Sequence, residues 1–205
     1  VIPYTGISQN YLNSIPLPAA KSIRIKKDQI KLNLKSNDNL SKEIKEAYYA
    51  TISFMDAQIG RVLDALKKSG LDKNTIVVFS SDHGYHLGEH GHWQKQTLFE
   101  NATRIPLIIS IPNLANKGAI SNSPVELIDL YPTLMDLTNI KTPKHVVGKS
   151  LEPIMNNVNA SVRGSALTRR RNGYSIKTKR YRLTKWGSNG ELGYELYDHK
   201  NDKKE

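Results

Sequence analysis

Residues 80–95 read Ser80-Ser81-Asp82-His83-Gly84-Tyr85-His86-Leu87-Gly88-Glu89-His90-Gly91-His92-Trp93-Gln94-Lys95, and this stretch decides the fold. It contains four of the chain's six histidines within ten residues, and the apolar, β-branched run Thr75–Phe79 precedes it. Such a run predicts a buried strand, and the three glycines of the stretch disfavour a helix after it. In open α/β sheets, ligands bind on loops at the carboxyl ends of strands. The stretch therefore predicts the edge of an active site.

A long helix is predicted before this strand. Ser41 is a candidate N-cap, and Gly70 is a candidate C-terminal stop. Between them, apolar side chains recur at steps of three and four residues, which predicts one stripe that packs against a core. The stripe consists of Ile44, Tyr48, Ile52, Met55, Ile59, Val62, Leu63 and Leu66.

A second strand and a second helix are predicted after the loop. The run Leu107–Ile111 has a proline on either side, which favours a five-residue strand because proline inside a central strand would remove a ladder hydrogen bond. The helix is predicted to start after Asp129, since Pro132 then falls in the first turn, where it is tolerated. Ser123-Pro124-Val125-Glu126 has the form of a capping box and offers an alternative start. That start would place Pro132 inside the helix.

The two ends of the chain differ from this middle part. Residues 1–40 predict an irregular connector, in which Ser22–Ile25 or Gln29–Leu34 is a candidate extended segment. From Arg163 onward, short alternating runs are separated by turn sequences such as Asn172-Gly173 and Asn189-Gly190, which predicts an antiparallel β subdomain. The expected fold class is α/β with a small C-terminal β subdomain.

Composition excludes several classes of protein. The chain has 205 residues, no cysteine and no run of eighteen apolar residues, so disulfides, cysteine–zinc sites and a membrane-spanning helix are not expected. The net charge is +11, and residues 161–205 contribute 12 Lys/Arg against 5 Asp/Glu. Aromatic residues among these basic ones are sparse and form no RNA-binding signature, so nucleic acid is not an expected partner. An anionic polysaccharide or a solvated surface fits the charge better.

Several segments together resemble the sulfatase family, most closely its bacterial iduronate-2-sulfatase-like members. The sharpest is Asp82-His83-Gly84 with Lys95 downstream. Residues 50–63 resemble the family helix before this strand, residues 99–109 the family strand after it, and Glu195-Leu196-Tyr197-Asp198 with Asp202 the family's C-terminal ending. The resemblance runs from about residue 40 to the end. It implies an alkaline-phosphatase/sulfatase-like sheet sandwiched by helices, with residues 1–160 as the C-terminal part of the catalytic domain and 161–205 as the start of the β subdomain.

The resemblance also implies roles for individual residues. Asp82 and His83 match the family's downstream calcium ligands, and a carboxylate oxygen is the ligand that Ca²⁺ prefers. Lys95 matches the catalytic lysine that reaches the sulfate and the leaving oxygen, where an ammonium stabilises developing negative charge. Three further residues are candidate contacts for a sulfated carbohydrate substrate, namely His86, His92 and Arg104. His90 is read as structural, and Arg169-Arg170-Arg171 as a run of solvated charges.

The family's nucleophile has no counterpart in this sequence. Sulfatases use a formylglycine made from Cys or Ser in a C/S-x-P/A-x-R motif, but this chain has no Cys and no Ser in that pattern. The N-terminal half of the family pattern, with its first calcium aspartates, is also unmatched. The expectation is a fragment that is inactive alone and needs the missing half. Export to a bacterial periplasm or exterior is implied by the resemblance only.

Three other interpretations remain at this point. A phosphodiesterase or phosphatase of the same superfold would use zinc pairs. A non-catalytic polyanion-binding protein would keep the scaffold without the nucleophile. His86-Leu87-Gly88-Glu89-His90 also satisfies the H-x-x-E-H pattern of some zinc peptidases, which requires both histidines on one helical face. The glycines of the stretch argue against that helix.

Overall fold

The computed structural model describes residues 9–23, 38–202 and 205. These residues divide into two compact units, and each is described by itself. The first unit contains the described residues up to Thr97 together with Asn101–Pro112, and the second contains Leu98–Glu100 and Asn113–Glu205. The expected boundary at residue 160, between a catalytic domain and a β subdomain, stays a prediction.

Two short helices open the first unit, α1 (Gln9–Ser14) and α2 (Leu17–Ser22). The expectation of an irregular connector is therefore wrong for these residues. Pro18 lies within the first two positions of α2, where its fixed φ suits the helix and its missing N–H is not needed. The prediction of an extended segment over Ser22–Ile25 is also wrong at its first residue, because Ser22 belongs to α2. The other candidate extended segment, Gln29–Leu34, lies outside the described residues.

The long helix α3 spans Asp38–Lys68. Its end is as predicted, because Gly70 adopts a left-handed φ of 74° directly after it. Its start is not, since Ser41 lies one turn inside the helix, where its side chain is buried. The apolar stripe was expected to pack against a core. Four of its members remain exposed among the described residues, namely Ile52, Met55, Val62 and Leu63.

Strands β1 (Val77–Ser80) and β4 (Leu107–Ser110) form the sheet of the first unit. They pair antiparallel, with Val77 opposite Ser110 and Ser80 opposite Leu107. Both predicted strands are confirmed to within two residues. Neither is buried on both faces, because β1 is half-buried throughout and Ile108 of β4 is exposed.

The segment between these strands is a loop, as predicted. It contains the two-residue hairpin β2 (His86–Leu87) and β3 (Trp93–Gln94), joined by a 3-10 turn at Glu89–Gly91, and is followed by α4 (Glu100–Thr103). Gly88 has a φ of 108° and His90 a φ of 52°, which no α-helix accommodates. The structure therefore contradicts the zinc-peptidase interpretation of residues 86–90.

The helices of the second unit are α5 (Leu130–Leu137) and α6 (Glu152–Asn156). The predicted start of α5 is confirmed, but Asp129 does not cap it with its side chain. A capping box does form one turn earlier, around the 3-10 turn Leu127–Asp129, and its partners are Glu126 and Asp129 rather than Ser123 and Glu126. The alternative box of Ser123 and Glu126 is therefore not the one that forms.

Asp129 is completely buried and accepts four hydrogen bonds. Its carboxylate receives the backbone N–H groups of Glu126 (2.9 Å) and Lys149 (2.8 Å), and Arg163 donates two more through its Nε (3.0 Å) and a terminal nitrogen. Arg163 also pairs with Glu126 at 2.9 Å. Three separate segments of the second unit therefore meet at one buried ion pair.

A four-stranded antiparallel sheet completes the second unit, in the order β5 (Ala166–Arg170), β6 (Gly173–Lys177), β7 (Tyr181–Trp186) and β8 (Tyr194–Asp198). The predicted hairpins are confirmed. A sheet with one solvated face usually has apolar residues on the inner face and polar residues on the outer face. Here one cross-strand row on the inner face is polar, and one row on the exposed face is aliphatic. The polar row is Thr168, Ser175, Thr184 and Glu195, and the aliphatic row is Leu167, Ile176, Leu183 and Leu196.

No helix among the described residues is long and apolar enough to cross a membrane.

Replacing Asp129 should destabilise the second unit strongly. In Asp129→Ala, the buried guanidinium of Arg163 and two amide groups lose their acceptors, and breaking a buried ion pair typically costs about 3–5 kcal/mol. Urea unfolding followed by tryptophan fluorescence measures this loss. Asp136→Ala is the matched control, since Asp136 is exposed on α5 of the same unit. A loss below about 1 kcal/mol for Asp129→Ala would show that the network is dispensable.

Candidate functional site

The candidate site is the loop that leaves the end of β1. Ser80 closes the strand, and its hydroxyl donates to the carbonyl of Pro106 at 2.9 Å. The Ser81 hydroxyl then donates to the carbonyl of His83 at 2.8 Å. These two bonds fix the path of the backbone just before and across the Asp82-His83 pair.

Gly84 has no room for a side chain. Its N–H donates to the carbonyl of Ala102 at 2.9 Å, and a Cβ here would lie 2.0 Å from the carbonyl oxygen of Asn101. The loop can therefore pass this close to α4 only with glycine at this position. The close approach holds the residue before it, His83, at a fixed place.

The imidazole of His83 has a defined tautomer. Its Nδ1 lies 2.8 Å from the carbonyl oxygen of Gly84, and since a carbonyl can only accept, Nδ1 must carry the hydrogen. In the neutral ring, Nε2 then has a free lone pair. That atom lies 3.4 Å from a carboxylate oxygen of Asp82 and within hydrogen-bonding distance of Nζ of Lys95. The carboxylate of Asp82 and Nε2 of His83 thus lie close together beside the ammonium group of Lys95.

Lys95 and Asp82 are both open to solvent. Asp82 is 81% exposed, and Lys95 is exposed as well. The residue before Lys95, Gln94, has a φ of 93°, which is rare for any residue except glycine. Such backbone strain often accompanies functional sites, because surrounding structure must hold it in place. The unusual backbone of Gln94 lies at the end of the β2–β3 hairpin and precedes Lys95, whose side chain contacts His83.

Three histidines lie beneath this surface. The ring of His86 packs edge-on against those of His90 and His92, with centroids 5.8 and 5.1 Å away. His86 is fully buried, and its Nε2 lies 2.7 Å from the hydroxyl of Thr97. Burial, and then the neighbouring His92 and His90, lower the pKa of His86 to about 3. His86 is therefore neutral at physiological pH.

The structure brings three of the six predicted site residues together, Asp82, His83 and Lys95. His86 and His92 are buried, so direct contact of either with a substrate has no support from their placement. Their role as substrate contacts stays a prediction. Arg104 is exposed in the segment between α4 and β4.

Two contributors were missed by the sequence analysis. Thr97 holds the buried His86, and Gln94 supplies the strained backbone before Lys95. A buried threonine beside a histidine has no local sequence signal, because the two are eleven residues apart. A left-handed glutamine has none either, since the residues that usually mark such a conformation are Gly and Asn.

A second group of possible metal ligands lies in the second unit. Ligand atoms of Glu100, His199 and Glu205 all lie within 4.8 Å of one another. The guanidinium of Arg182 already provides a cation there, pairing with Glu100 and, at 2.5 Å, with Glu205. This group is therefore explained as a buried ion-pair network.

The chain is similar in sequence and in structure to known proteins. The sequence model of the Sulfatase family matches residues 12–140, and the model for the C-terminal region of N-sulphoglucosamine sulphohydrolase matches residues 88–205. The chain is similar to a sulfatase of Formosa agariphila, with 41% identity over 80% of this chain and 32% of that protein. It is also similar to human iduronate 2-sulfatase, with 35% identity over 51% of this chain and 24% of that protein.

Two solved structures show the same fold. One is of a protein in complex with its substrate D-glucosamine-2-N,6-O-disulfate, with a TM-score of 0.66, 32% identity, and coverage of 77% of this chain and 34% of that one. The other is a phosphonate monoester hydrolase from Silicibacter pomeroyi, with a TM-score of 0.84, 23% identity, and coverage of 98% of this chain and 44% of that one. The expected fold class is confirmed. The chain spans a third or less of the length of both curated relatives.

The pKa of His86 predicts how the stability of the first unit depends on pH. The folded pKa is lowered to about 3 from 6.5, so between these values the unfolded chain binds the extra proton. Stability should therefore fall as pH drops below 6.5, by roughly 1.4 kcal/mol per pH unit from this residue. Urea unfolding between pH 4 and 7 measures it.

His86→Gln removes the titrating group but keeps a side chain that can bond Thr97, and its slope with pH should be smaller. His145→Gln, at an exposed histidine, is the control and should keep the full slope. Equal slopes in all three proteins would contradict the assigned pKa.

Proposed function

Because this chain belongs to the sulfatase family, we propose that the whole protein is a sulfuric ester hydrolase that removes sulfate from a sulfated carbohydrate. The observation that carries the proposal is the corner formed by Asp82, His83 and Lys95. There a carboxylate and an imidazole lone pair face the same point, and a lysine ammonium lies beside it. This arrangement offers two ligands for a cation and one cation for an anionic substrate.

The residues fit a calcium ion. The carboxylate of Asp82 and Nε2 of His83 lie 3.4 Å apart, close enough for one cation to bind both. The Gly84 carbonyl holds the hydrogen on Nδ1, as the outer partners of metal-bound histidines usually do, so Nε2 is the electron-pair donor of the ring; Nζ of Lys95 lies beside it in this structure. We propose that Asp82 and His83 are two of the calcium ligands. When bound, the ion would polarise the sulfate ester as a Lewis acid.

Lys95 is proposed to bind the sulfate. Its ammonium group can donate to a sulfate oxygen and to the oxygen of the departing alcohol, which gains negative charge as the S–O bond breaks. The strained Gln94 and the hydrogen bond to His83 restrict where Nζ can lie before substrate binds. Arg104 is proposed as a second cationic contact. His86 and His92, which are both buried, stay predicted contacts with the substrate.

The nucleophile is proposed to lie outside these 205 residues. The sequence has no cysteine and no serine in the motif that yields formylglycine. In the proposed enzyme, the remainder of the protein supplies the formylglycine and the other calcium ligands. The 205 residues alone should therefore not turn over a sulfate ester. The resemblance further implies that the bacterial enzyme is exported.

The substrate class follows from the relatives. One solved relative is described with a disulfated glucosamine, and a curated one is named for iduronate. Both names refer to sulfated sugars, so we propose a sulfated carbohydrate for this protein. The phosphonate monoester hydrolase shares the fold, but at 23% identity that likeness does not extend to the reaction. Restoration of a chelated enzyme by zinc rather than calcium would favour a phosphatase-type reaction.

Lys95→Ala should abolish most of the activity of the whole protein. Loss of a preorganised cation at a developing oxyanion typically lowers kcat by ~10²–10³. The measurement is turnover of an aryl sulfate, with far-ultraviolet circular dichroism to check folding. Lys73→Ala, at an exposed lysine of the same unit, should stay within about twofold of wild type. Turnover by Lys95→Ala within about threefold of wild type would remove Lys95 from the mechanism.

Asp82→Ala should remove the thermal stabilisation that calcium gives to the whole protein. A ligand that binds only the folded state raises Tm by mass action, and a carboxylate is the strongest ligand that this loop offers. Differential scanning calorimetry with and without millimolar Ca²⁺ tests this. Asp72→Ala, at an exposed carboxylate in the same unit, should keep the full calcium shift. An unchanged shift in Asp82→Ala would place calcium elsewhere.

A further inference from the structure

A row of alternating cationic and aromatic side chains crosses the exposed face of the β5–β8 sheet. The row consists of Arg169, Tyr174, Lys185 and Tyr194, which lie directly opposite one another on the four strands. The guanidinium carbon of Arg169 lies 5.2 Å from the ring centroid of Tyr174, and Nζ of Lys185 lies 5.4 Å from the same centroid. Both cations are thus held against one ring, which limits their freedom before any ligand arrives.

The turn after β5 adds a further cation. Arg171 is exposed at the tip of the β5–β6 hairpin, with a φ of 52°. Burial, and then the charge of Arg171, lower the pKa of its neighbour Arg170. The exposed Arg171 extends the positive charge of the row at this end of the sheet.

Few acidic groups neutralise this face. Residues 161–205 carry 12 Lys/Arg and 5 Asp/Glu, and the carboxylates are mostly engaged elsewhere. Glu195 is buried under Trp186, Glu205 is buried with Arg182, and Asp198 pairs with Arg180 at 2.6 Å. The pKa of Glu191 is lowered mainly by backbone hydrogen bonds and least by the charge of Lys185, and Glu191 offsets some of the local charge.

We propose that this row, with Arg171, binds a sulfated polysaccharide on the second unit, through residues other than those of the Asp82–Lys95 site. Neighbouring strands lie about 4.8 Å apart, so the cations of Arg169 and Lys185 stand roughly 10 Å apart. That spacing suits a chain with repeated anionic groups better than one small anion. Arginine guanidinium and lysine ammonium groups bind sulfate oxygens through charge-assisted hydrogen bonds.

The observations favour a polysaccharide over nucleic acid. Single-stranded nucleic acid binds by stacking its bases on open aromatic faces, and two cations already lie over the ring of Tyr174. The choice of a sulfated glycan among polyanions rests on the proposed function, whereas the positive charge of the row is independent of it. The adjoining aliphatic row, which includes Leu183, borders the surface and offers no hydrogen bonds.

Heparin is the probe, and binding is measured by titration calorimetry at 0.15 M salt, without turnover. The double variant Arg169→Gln/Lys185→Gln should bind at least about tenfold more weakly than wild type, because two charge-assisted contacts are lost. Lys67→Gln/Lys68→Gln removes the same charge from exposed residues of the other unit and should change Kd less than about threefold. Leu183→Gln should also leave binding nearly unchanged. Tryptophan fluorescence checks that each variant remains folded.

Several outcomes would overturn the proposal. They are an equal loss in both double variants, a loss in Leu183→Gln as large as in the row variant, equal binding of chemically desulfated heparin, and equal competition by single-stranded DNA. The last of these would indicate a general polyanion surface. Because binding is scored without catalysis, a whole protein that is inactive but still binds heparin through the row would refute the proposed enzyme and leave this surface intact.

Discussion

The buried carboxylate of Asp129 is the constraint on which the second unit depends most. It accepts hydrogen bonds from the start of α5, from the segment at Lys149 and from Arg163, which precedes the β5 strand. An isolated charge at a fully buried position would be strongly unfavourable, so these segments must be in place together. Arg182, with Glu100 and Glu205, imposes a similar condition beneath the sheet. Two networks of matched buried charges thus hold distant segments of this unit together.

The candidate site depends on backbone contacts rather than on packing of its own side chains. Gly84 lets the loop approach α4, its carbonyl sets the tautomer of His83, and the strained Gln94 precedes Lys95. Asp82 and Lys95, which we propose to meet a ligand, are exposed, whereas Gly84 and Gln94, which set the backbone around them, are half-buried. A loop built in this way can keep its charges open to solvent and still present them in a fixed arrangement.

Much of the fold followed from local signals in the sequence. The two prolines around β4 predicted that strand, and the glycines of residues 80–95 predicted the loop. The Asn-Gly turns predicted the hairpins. Each of these residues acts through its own backbone preferences. The antiparallel pairing of β1 with β4 was not predictable, since it joins residues some thirty positions apart. The same is true of the burial of His86 and the exposure of the α3 stripe. These depend on what surrounds a residue in space, and a periodic pattern does not report that.

The exposed face of the β5–β8 sheet carries both an aliphatic row and a cationic row. The charge of this face therefore affects its tendency to associate with other copies. Four aliphatic side chains lie in register on the exposed face, a surface that would attract the same surface of another copy. The neighbouring Arg169 and Lys185 oppose such contacts by mutual repulsion, as charged gatekeepers do beside apolar strands. Repulsion of this kind is screened at high ionic strength, where the Debye length falls from about 10 Å to about 3 Å, while apolar attraction is not weakened. Salt, or a polyanion that neutralises the row, would weaken this repulsion between copies of the sheet.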